Sequence, residues 1–118
     1  MLINFSNHPS EFWGLKQLDA AKEYGEVIDI PFPAVDPESN HNEIKDLACK
    51  CVEDILSYAK DNQIIVHVMG EMTFTFLVVS MLKERDVECI ASTTDRNSEM
   101  LSDSQKISDF QFVRFRKY

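Results

Sequence analysis

The sequence is poor in glycine and lacks the glycine-rich motifs that bind phosphate. Only three of its 118 residues are glycine, and neither GxGxxG nor the Walker pattern GxxxxGK followed by Ser or Thr occurs. Those motifs let a backbone approach a phosphate closely at the start of a helix. A GxSxG nucleophile elbow is missing as well. The sequence therefore does not indicate a P-loop NTPase, a dinucleotide enzyme with the usual fingerprint, or a serine hydrolase.

Cysteine is also scarce, and its few positions do not form a metal-binding pattern. Three cysteines cannot all pair with one another, and Cys49 and Cys51 lie two positions apart on a predicted helix, which points them to different faces. No Cys and His residues have the spacing of a structural zinc site. Glu71 and Asp95 lack the third acidic partner that metal chemistry at the same edge would require. We therefore expect no metal and no cofactor.

The sequence also lacks an excess of positive charge and any long apolar run. Twelve Lys and Arg residues against twenty Asp and Glu residues give a net charge of −8. This balance excludes the broad cationic surface that long DNA or RNA requires, but a small anionic ligand held by a few donors remains open. No stretch approaches the roughly 18 uncharged apolar residues of a membrane span, and the N-terminus has no basic leader pattern. We expect a cytoplasmic protein without membrane contact.

What the sequence does have is a regular alternation of strand-like and helical segments. Its length and its 44% hydrophobic content fit a single domain, residues 1–118. Gly25 stands where a glycine cap would end the first helix, and Asn40 or Asn42 would begin the second. The predicted strands are residues 2–6, 26–30, 64–69, 87–92 and 110–118, and the predicted helices are residues 13–24, 44–59 and 72–86. The polar segment 95–109 is predicted to be a connection, and a connection of this length could form a lid.

This order predicts the α/β class. We expect a three-layer sandwich of the Rossmann-like type with a mainly parallel sheet of about five strands. The run 64–69 is almost continuously apolar, as in a strand covered on both faces, and should be central. The last strand is a candidate antiparallel edge strand.

Gly70 stands between this central strand and the third predicted helix. In a parallel sheet, ligands bind beyond the carboxyl ends of the strands, where helix N-termini present free N–H groups. One interpretation is that Gly70 allows a close turn, so that the segment Met69–Thr73 supplies backbone amides, a threonine hydroxyl and a helix dipole to a bound anion. The other is that Gly70 only permits a tight turn before a helix capped by a threonine. Both interpretations remain open.

Polar residues from two other strand ends are predicted to reach the same edge. The candidate ligand-binding residues outside the Gly70 turn are Ser6, Asn7, Ser10, Trp13, Ser92, Thr93 and Thr94. Three clusters from three separated segments come together only if the sheet is parallel. Their convergence predicts a functional pocket.

Several side chains at this edge have two interpretations each. His8 is a candidate general base or a candidate hydrogen-bond donor to phosphate, or it is an ordinary loop residue. Arg96 suits bidentate phosphate recognition or a plain surface position. Glu71 could accept a hydrogen bond from a ribose hydroxyl or a base amine, or it could cap the helix. Trp13 could stack on a nucleobase or pack into the core, whereas His67, inside the central strand, is expected to be a hydrogen-bonded core residue.

The segments NFSNHPS, HVMGEMTFTF and ASTTDR together resemble the small stand-alone proteins of type III CRISPR antiviral defence. Those proteins have a Rossmann-like fold akin to the CARF domain. The likeness covers most of the chain in length and in strand–helix order. It implies binding of a cyclic oligoadenylate second messenger by a homodimer, with the ligand lying across the two-fold axis.

The resemblance also implies an activity, that of a metal-independent ring nuclease. In such an enzyme a ribose 2′-hydroxyl attacks its own 3′-phosphate in line. The phosphate-positioning residues would be Asn7, His8, Ser10, Gly70, Thr73 and Arg96. His8 would assist proton transfer, and Arg96 or Lys106 would stabilise charge on the phosphorane.

Three alternatives stay open beside the ring nuclease. The first is a sponge or sensor that binds the messenger without cleaving it. The second is a nucleotide- or nucleoside-processing enzyme in which Glu71 carries the chemistry. The third is a structural partner in which this edge of the sheet binds nothing.

Overall fold

In the described part of the chain, five strands and three α-helices alternate. The structure is a computed structural model that describes the backbone of residues 1–102 and 105–118 and the side chains of residues 1–96 and 110–118. The strands are β1 (Leu2–Ser6), β2 (Val27–Asp29), β3 (Ile65–Met69), β4 (Glu88–Ser102) and β5 (Gln105–Lys117). The helices are α1 (Leu15–Ala21), α2 (His41–Ser57) and α3 (Met72–Glu84), with short 3-10 segments at Ser10–Phe12, Lys22–Tyr24 and Tyr58–Lys60.

The strands form one sheet in the order β2-β1-β3-β4-β5. The first four strands are parallel, and β5 runs antiparallel to β4 at the edge. The predicted α/β class and the Rossmann-like, mainly parallel sheet are confirmed. The chain leaves β1 towards β2 on one side and returns to β3 on the other, so the strand order reverses between β1 and β3. This reversal is where open α/β sheets bind their ligands.

The two faces of the sheet carry different layers. Successive side chains of a strand point to opposite faces. Ile3 and Phe5 of β1 therefore join Val66 and Val68 of β3 in a core covered by α2 and α3. On the other face, Leu2 and Ile90 pack with Trp13 and Phe115 beneath α1. These two cores make the fold a three-layer sandwich.

The fourth strand is much longer than predicted. The sequence predicted a strand at residues 87–92 and a polar connection at residues 95–109, whereas β4 and β5 form an antiparallel hairpin that pairs from Ile90↔Lys117 out to Ser102↔Gln105. The connection predicted for residues 95–109 was therefore wrong, because the described residues 95–102 and 105–109 are strand; the use of this segment as a lid stays a prediction. Hydrogen bonds between paired backbones do not require apolar side chains, so a polar segment can form such a ladder.

The cap residues predicted for the first two helical segments are confirmed. Gly25 ends the first helical segment with a positive φ of 93°, the left-handed conformation that glycine adopts without strain. Asn40 caps α2, accepting from the N–H of Glu43 while the Glu43 carboxylate accepts from the N–H of Asn40. Helix α3, however, is capped by the side chain of Glu71 and not by a threonine.

None of the helices in the described ranges has both the length and the apolar character that crossing a bilayer requires.

Candidate functional site

A directed chain of hydrogen bonds runs across the α1 face of the sheet. The amide Nδ2 of Asn4 donates to Asp29 Oδ1 at 2.7 Å and to the carbonyl of His8 at 3.0 Å. Both partners only accept, so Nδ2 and Oδ1 of Asn4 are assigned without ambiguity. Asn4 Oδ1 then accepts from the hydroxyl of Ser6 at 2.8 Å and faces Nδ1 of His67 at 2.8 Å. Asn4, only 1% exposed, joins two neighbouring strands.

The tautomer of His67 follows from this arrangement. Since Oδ1 of Asn4 can only accept, Nδ1 of His67 carries the proton and Nε2 is the acceptor. The Ser92 hydroxyl, 2.7 Å from Nε2, therefore donates to it, and Ser92 Oγ accepts from Gln17 Nε2 at 3.0 Å. The chain runs from Gln17 through Ser92, His67 and Asn4 to Asp29.

His67 is a neutral core histidine, as the sequence predicted. It is 2% exposed, and the rings of Trp13 and Phe115 pack against it with centroids 5.5 Å away. Burial, with a smaller contribution from the charge of His8, lowers the pKa of His67 from 6.5 to about 4. The order Ser92, His67, Asn4 is that of a nucleophile triad, but this imidazole lies in the core and both of its nitrogens are committed. We assign this chain of hydrogen bonds a structural role.

The loop after β1 is shaped by the backbone of His8. The His8 carbonyl accepts hydrogen bonds from Asn4 Nδ2 and from Trp13 Nε1, and the Ser6 hydroxyl, which donates to Asn4, lies 3.1 Å from it. Trp13 is thereby held in the core at 5% exposure. Its indole is buried in this structure, which agrees with the core interpretation and not with stacking on a nucleobase. The side chains of Asn7 and His8 face solvent instead.

Asp29 is the carboxylate at the end of the chain of hydrogen bonds that begins at Gln17. Its Oδ1 accepts from Asn4 Nδ2 at 2.7 Å and from the Ser10 N–H at 3.1 Å, and its Oδ2 accepts from the Ser10 hydroxyl at 2.6 Å. Burial raises the pKa of Asp29, but the hydrogen bonds from Ser10 and Asn4 outweigh it and hold the pKa below 3.8. Asp29 is therefore ionised at neutral pH in a fixed orientation.

These groups border an open pocket at the carboxyl edge of the sheet. The pocket has a volume of about 420 Å³. It lies between the segment after β1 and the segment after β2, next to the reversal of strand order. Its lining residues are Asn4, Ser6, Asn7, Pro9, Asp29, Ile30, Pro31 and Phe32.

Phe32 explains the glycine at position 70. A Cβ added to Gly70 would collide with Cζ and Cε1 of the Phe32 ring. The same ring packs against Phe5, at 5.0 Å between centroids, and against Phe74, at 5.3 Å. Gly70 has no positive φ, so the residue is needed for the close approach of an aromatic ring and not for an unusual turn. This position therefore agrees with a structural role for Gly70.

The N-terminus of α3 already holds a carboxylate from its own chain. Glu71 accepts from the N–H groups of Thr73 and Phe74 at 3.1 and 2.8 Å, and the Thr73 hydroxyl lies 2.8 Å from both of its carboxylate oxygens. The Phe74 N–H, then the Thr73 hydroxyl and N–H, lower the pKa of Glu71. A phosphate at these amides would first have to displace Glu71, so the capping interpretation is the one that the geometry supports.

The candidates on β4 lie apart from the pocket. The Ser92 N–H contacts Met69 Sδ at 3.2 Å, and the Thr93 hydroxyl donates to the carbonyl of Arg114. Thr94 is exposed. Arg96, on the hairpin beyond the sheet, is about 13 Å along the strand from Ser92 at the usual rise, and its guanidinium lies 5.5 Å from the ring centre of Phe110. The side chain of Lys106 lies outside the described residues.

The structure therefore brings together only part of the predicted set. Ser6, Asn7 and Ser10 meet at the pocket edge, with His8 on the same loop. Sequence reasoning missed the other six lining residues, Asn4, Pro9, Asp29, Ile30, Pro31 and Phe32. Asp29 had a usable signal, because an acidic residue at the end of the second strand commonly contacts ribose in Rossmann-like folds. Among the described residues, no group of three or more His, Cys, Asp or Glu side chains is placed to hold a metal ion.

The comparisons with known proteins identify a family. No curated protein and no solved structure matches this chain. The model of the family described as "Uncharacterized protein MJ1673 family" matches residues 1–116. Because this match spans nearly the whole chain, the protein belongs to the MJ1673 family.

Proposed function

We propose that this protein binds a cyclic oligoadenylate at the carboxyl edge of its sheet. The observation that carries the proposal is the pocket of about 420 Å³ between the segments after β1 and β2. It lies next to the strand-order reversal at which Rossmann-like sheets bind nucleotides, and its volume is within the usual range for small-molecule sites. The choice of a cyclic oligoadenylate comes from the resemblance of NFSNHPS, HVMGEMTFTF and ASTTDR to the type III CRISPR proteins.

The lining of the pocket suits one nucleotide unit. Its lining includes Pro9, Pro31 and Phe32, on which a base can pack, and the polar side chains of Asn7 and Asp29. Nucleotide sites commonly combine an apolar surface for the base with a few polar groups that fix the sugar and phosphate. A ring would then place its other nucleotides outside this pocket, against a second copy of the protein.

Binding without cleavage is the activity that the geometry supports best. Both ring nitrogens of His67 are committed to Asn4 and Ser92, and Glu71 is committed to its helix cap. General acid–base catalysis needs a group within hydrogen-bond reach of the reacting proton. The one observation in favour of cleavage is His8, whose imidazole is exposed on the loop that borders the pocket and lies 3.3 Å from the carbonyl of Phe12 through Nε2. A ring nuclease that uses His8 is therefore the second candidate.

The proposal includes a homodimer formed through α3. Met72 and Phe76, one turn apart near the start of α3, are 80% and 70% exposed. Hollows lie on both sides of them, one of about 600 Å³ that includes Ile44 and Leu77 and one of about 360 Å³ that includes Val79. A two-fold contact needs a patch that complements itself, and apolar side chains beside apolar hollows provide one. Because this face begins at the carboxyl edge, it would bring two pockets towards one axis.

The test is to incubate the purified protein with cyclic tri-, tetra- and hexa-adenylate in EDTA and to follow complexes and products by native gel and liquid chromatography. We expect a complex with one ring size and no linear product. Linear products would overturn the binding-only proposal in favour of the ring nuclease, and His8→Ala should then abolish turnover. Failure to bind any ring would overturn both.

A matched pair of variants tests the position of the site. Asn7→Ala removes an exposed amide at the pocket edge and should weaken binding by about 5-fold or more, as expected for one lost hydrogen bond. Asn62→Ala makes the same change before β3, at the opposite edge of the sheet, and should leave binding unchanged. Equal effects of the two substitutions would place the ligand elsewhere.

A further inference from the structure

Asp29 is a fixed carboxylate with one acceptor position left for a ligand. An ionised carboxylate offers about four lone-pair positions. Two on Oδ1 are taken by Asn4 Nδ2 and the Ser10 N–H, and one on Oδ2 is taken by the Ser10 hydroxyl. The remaining position on Oδ2 belongs to an exposed side chain that lines the pocket. The three donors also fix the plane of the carboxylate, so it is preorganised to accept from a fourth.

The charge of Asp29 limits what that fourth donor can be. The hydrogen bonds that lower its pKa keep the group ionised at neutral pH, so a phosphate oxygen would be repelled and a hydroxyl would be attracted. The apolar side chains of Pro31 and Phe32 line the same pocket. A nucleotide whose base packs on these side chains can present its ribose to Asp29.

We propose that Asp29 accepts a hydrogen bond from a ribose 2′-hydroxyl and thereby selects ribonucleotides over deoxyribonucleotides. The inference rests on the proposed function for its ligand, because in a 3′,5′-linked ring the 2′-hydroxyl is the one free hydroxyl of each ribose. One free hydroxyl matches one free acceptor position. A nucleoside with both hydroxyls free would need two.

This contact also favours binding of the cyclic ligand without cleavage. In-line cleavage requires the 2′-hydroxyl to lose its proton to a base. A carboxylate stabilised by three hydrogen bonds is a weak base, so Asp29 orients the hydroxyl without removing its proton. Asn4 acts here as a positioning residue, since it touches Asp29 at 2.7 Å and carries the constraint from β1 to the end of β2.

The first experiment needs no variant. The affinity of the protein for a cyclic oligoadenylate is compared with its affinity for the ring in which every 2′-hydroxyl is replaced by hydrogen, by isothermal calorimetry in EDTA. We expect the deoxy ring to bind about 10-fold more weakly or worse, as for a lost hydrogen bond to a charged group. Equal affinities would overturn the Asp29 inference and leave the proposed function intact.

Matched variants then assign the preference to Asp29. Asp29→Asn keeps the size of the side chain and removes the charge, and it should abolish the difference between the two rings. Asp61→Asn makes the same change of charge at the opposite edge, before β3, and should retain the difference. A ribose preference that persists in Asp29→Asn would overturn the inference.

A separate titration distinguishes failure of the inference from failure of the proposed function. If no ring binds, AMP and dAMP are titrated against the labelled protein and the backbone amide signals of Asn4 and Asp29 are followed by NMR. Larger shifts with AMP would support the Asp29 site while overturning the cyclic ligand. Equal shifts, or none, would overturn both.

Discussion

His67 shows at the scale of one residue how burial sets chemistry. The same imidazole on the surface would titrate near neutral pH, but burial in the sheet lowers its pKa from 6.5 to about 4. The sequence placed this residue in a central strand, and its surroundings agree. Its partners, Asn4 on the neighbouring strand β1 and Ser92 on β4, could not be read from the sequence because they are 63 and 25 residues away.

The lowered pKa predicts how stability depends on pH. Between pH 6.5 and about 4 the unfolded chain binds a proton at His67 that the folded protein does not. The contribution of His67 to the free energy of unfolding should therefore be fully present above pH 6.5 and should decrease by roughly 3 kcal/mol as the pH approaches 4. Urea denaturation of the protein and of His67→Gln across this range measures the contribution as the difference of the two curves. His41→Gln, an exposed histidine, is the control and should follow the original protein, whereas parallel curves for His67→Gln would contradict the assignment.

Gly70 gives a second prediction at this scale. Gly70→Ala places a methyl group against the Phe32 ring, which should cost about 1–3 kcal/mol, as overpacking usually does. The penalty should shrink in a Phe32→Leu background because the smaller side chain leaves room. Gly14→Ala is the control, since nothing lies within 4 Å of its added Cβ, and it should cost about 0.5 kcal/mol from the change of cap residue. Equal losses in both backgrounds, measured by urea denaturation, would refute the contact.

At the scale of elements, the α3 cap decides between two uses of one helix N-terminus. Free amides at a strand-to-helix turn attract a phosphate or a carboxylate equally well. The sequence could not choose between them, and the structure supplies the carboxylate from Glu71. The first turn of α3 is therefore closed from within.

Removing this cap should lower the melting temperature of the protein by a few degrees. Glu71→Ala leaves the Thr73 and Phe74 N–H groups without their acceptor, and Glu71→Gln, which retains one acceptor oxygen, should lose less. Since the pKa of Glu71 is lowered in the folded state, the contribution is present above the ordinary glutamate pKa and is lost as the pH falls below it. Thermal unfolding at pH 7 and pH 3.5 tests both points. Glu84→Ala, in the last turn of the same helix, should not lower the melting temperature, and an equal loss there would exclude a specific cap.

At the scale of the whole molecule, the exposed apolar face of α3 is the predicted dimer contact. Phe76→Glu places a charge where two copies would meet, so it should convert a dimer to a monomer in light scattering coupled to size exclusion. Leu15→Glu is the matched control, because Leu15 is 81% exposed on α1, in the opposite layer. A dimer that survives Phe76→Glu but not Leu15→Glu would move the contact to the other face. A dimer that survives both would make the exposed edge of β5 the next surface to test.

Much of the architecture was determined by the sequence alone. The period of the apolar residues from Ile44 to Ala59 and the continuous run before Gly70 are local signals, and each depends only on which face of an element must be buried. Gly25 and Asn40 likewise act through their own backbone and nearest neighbours. Such signals sufficed for the α/β class and for most element boundaries.

Tertiary structure alone decided what the site contains. Strand pairing placed Asp29 beside Asn4, and the hydrogen bond to the His8 carbonyl decided between the two interpretations of Trp13. Gly70 acquired its reason from Phe32, 38 positions earlier in the chain. The hairpin of β4 and β5 was not predicted because it is formed by backbone pairing, which needs no apolar pattern in the sequence. Local patterns report burial, whereas partners are fixed by contacts between segments that are distant in the sequence.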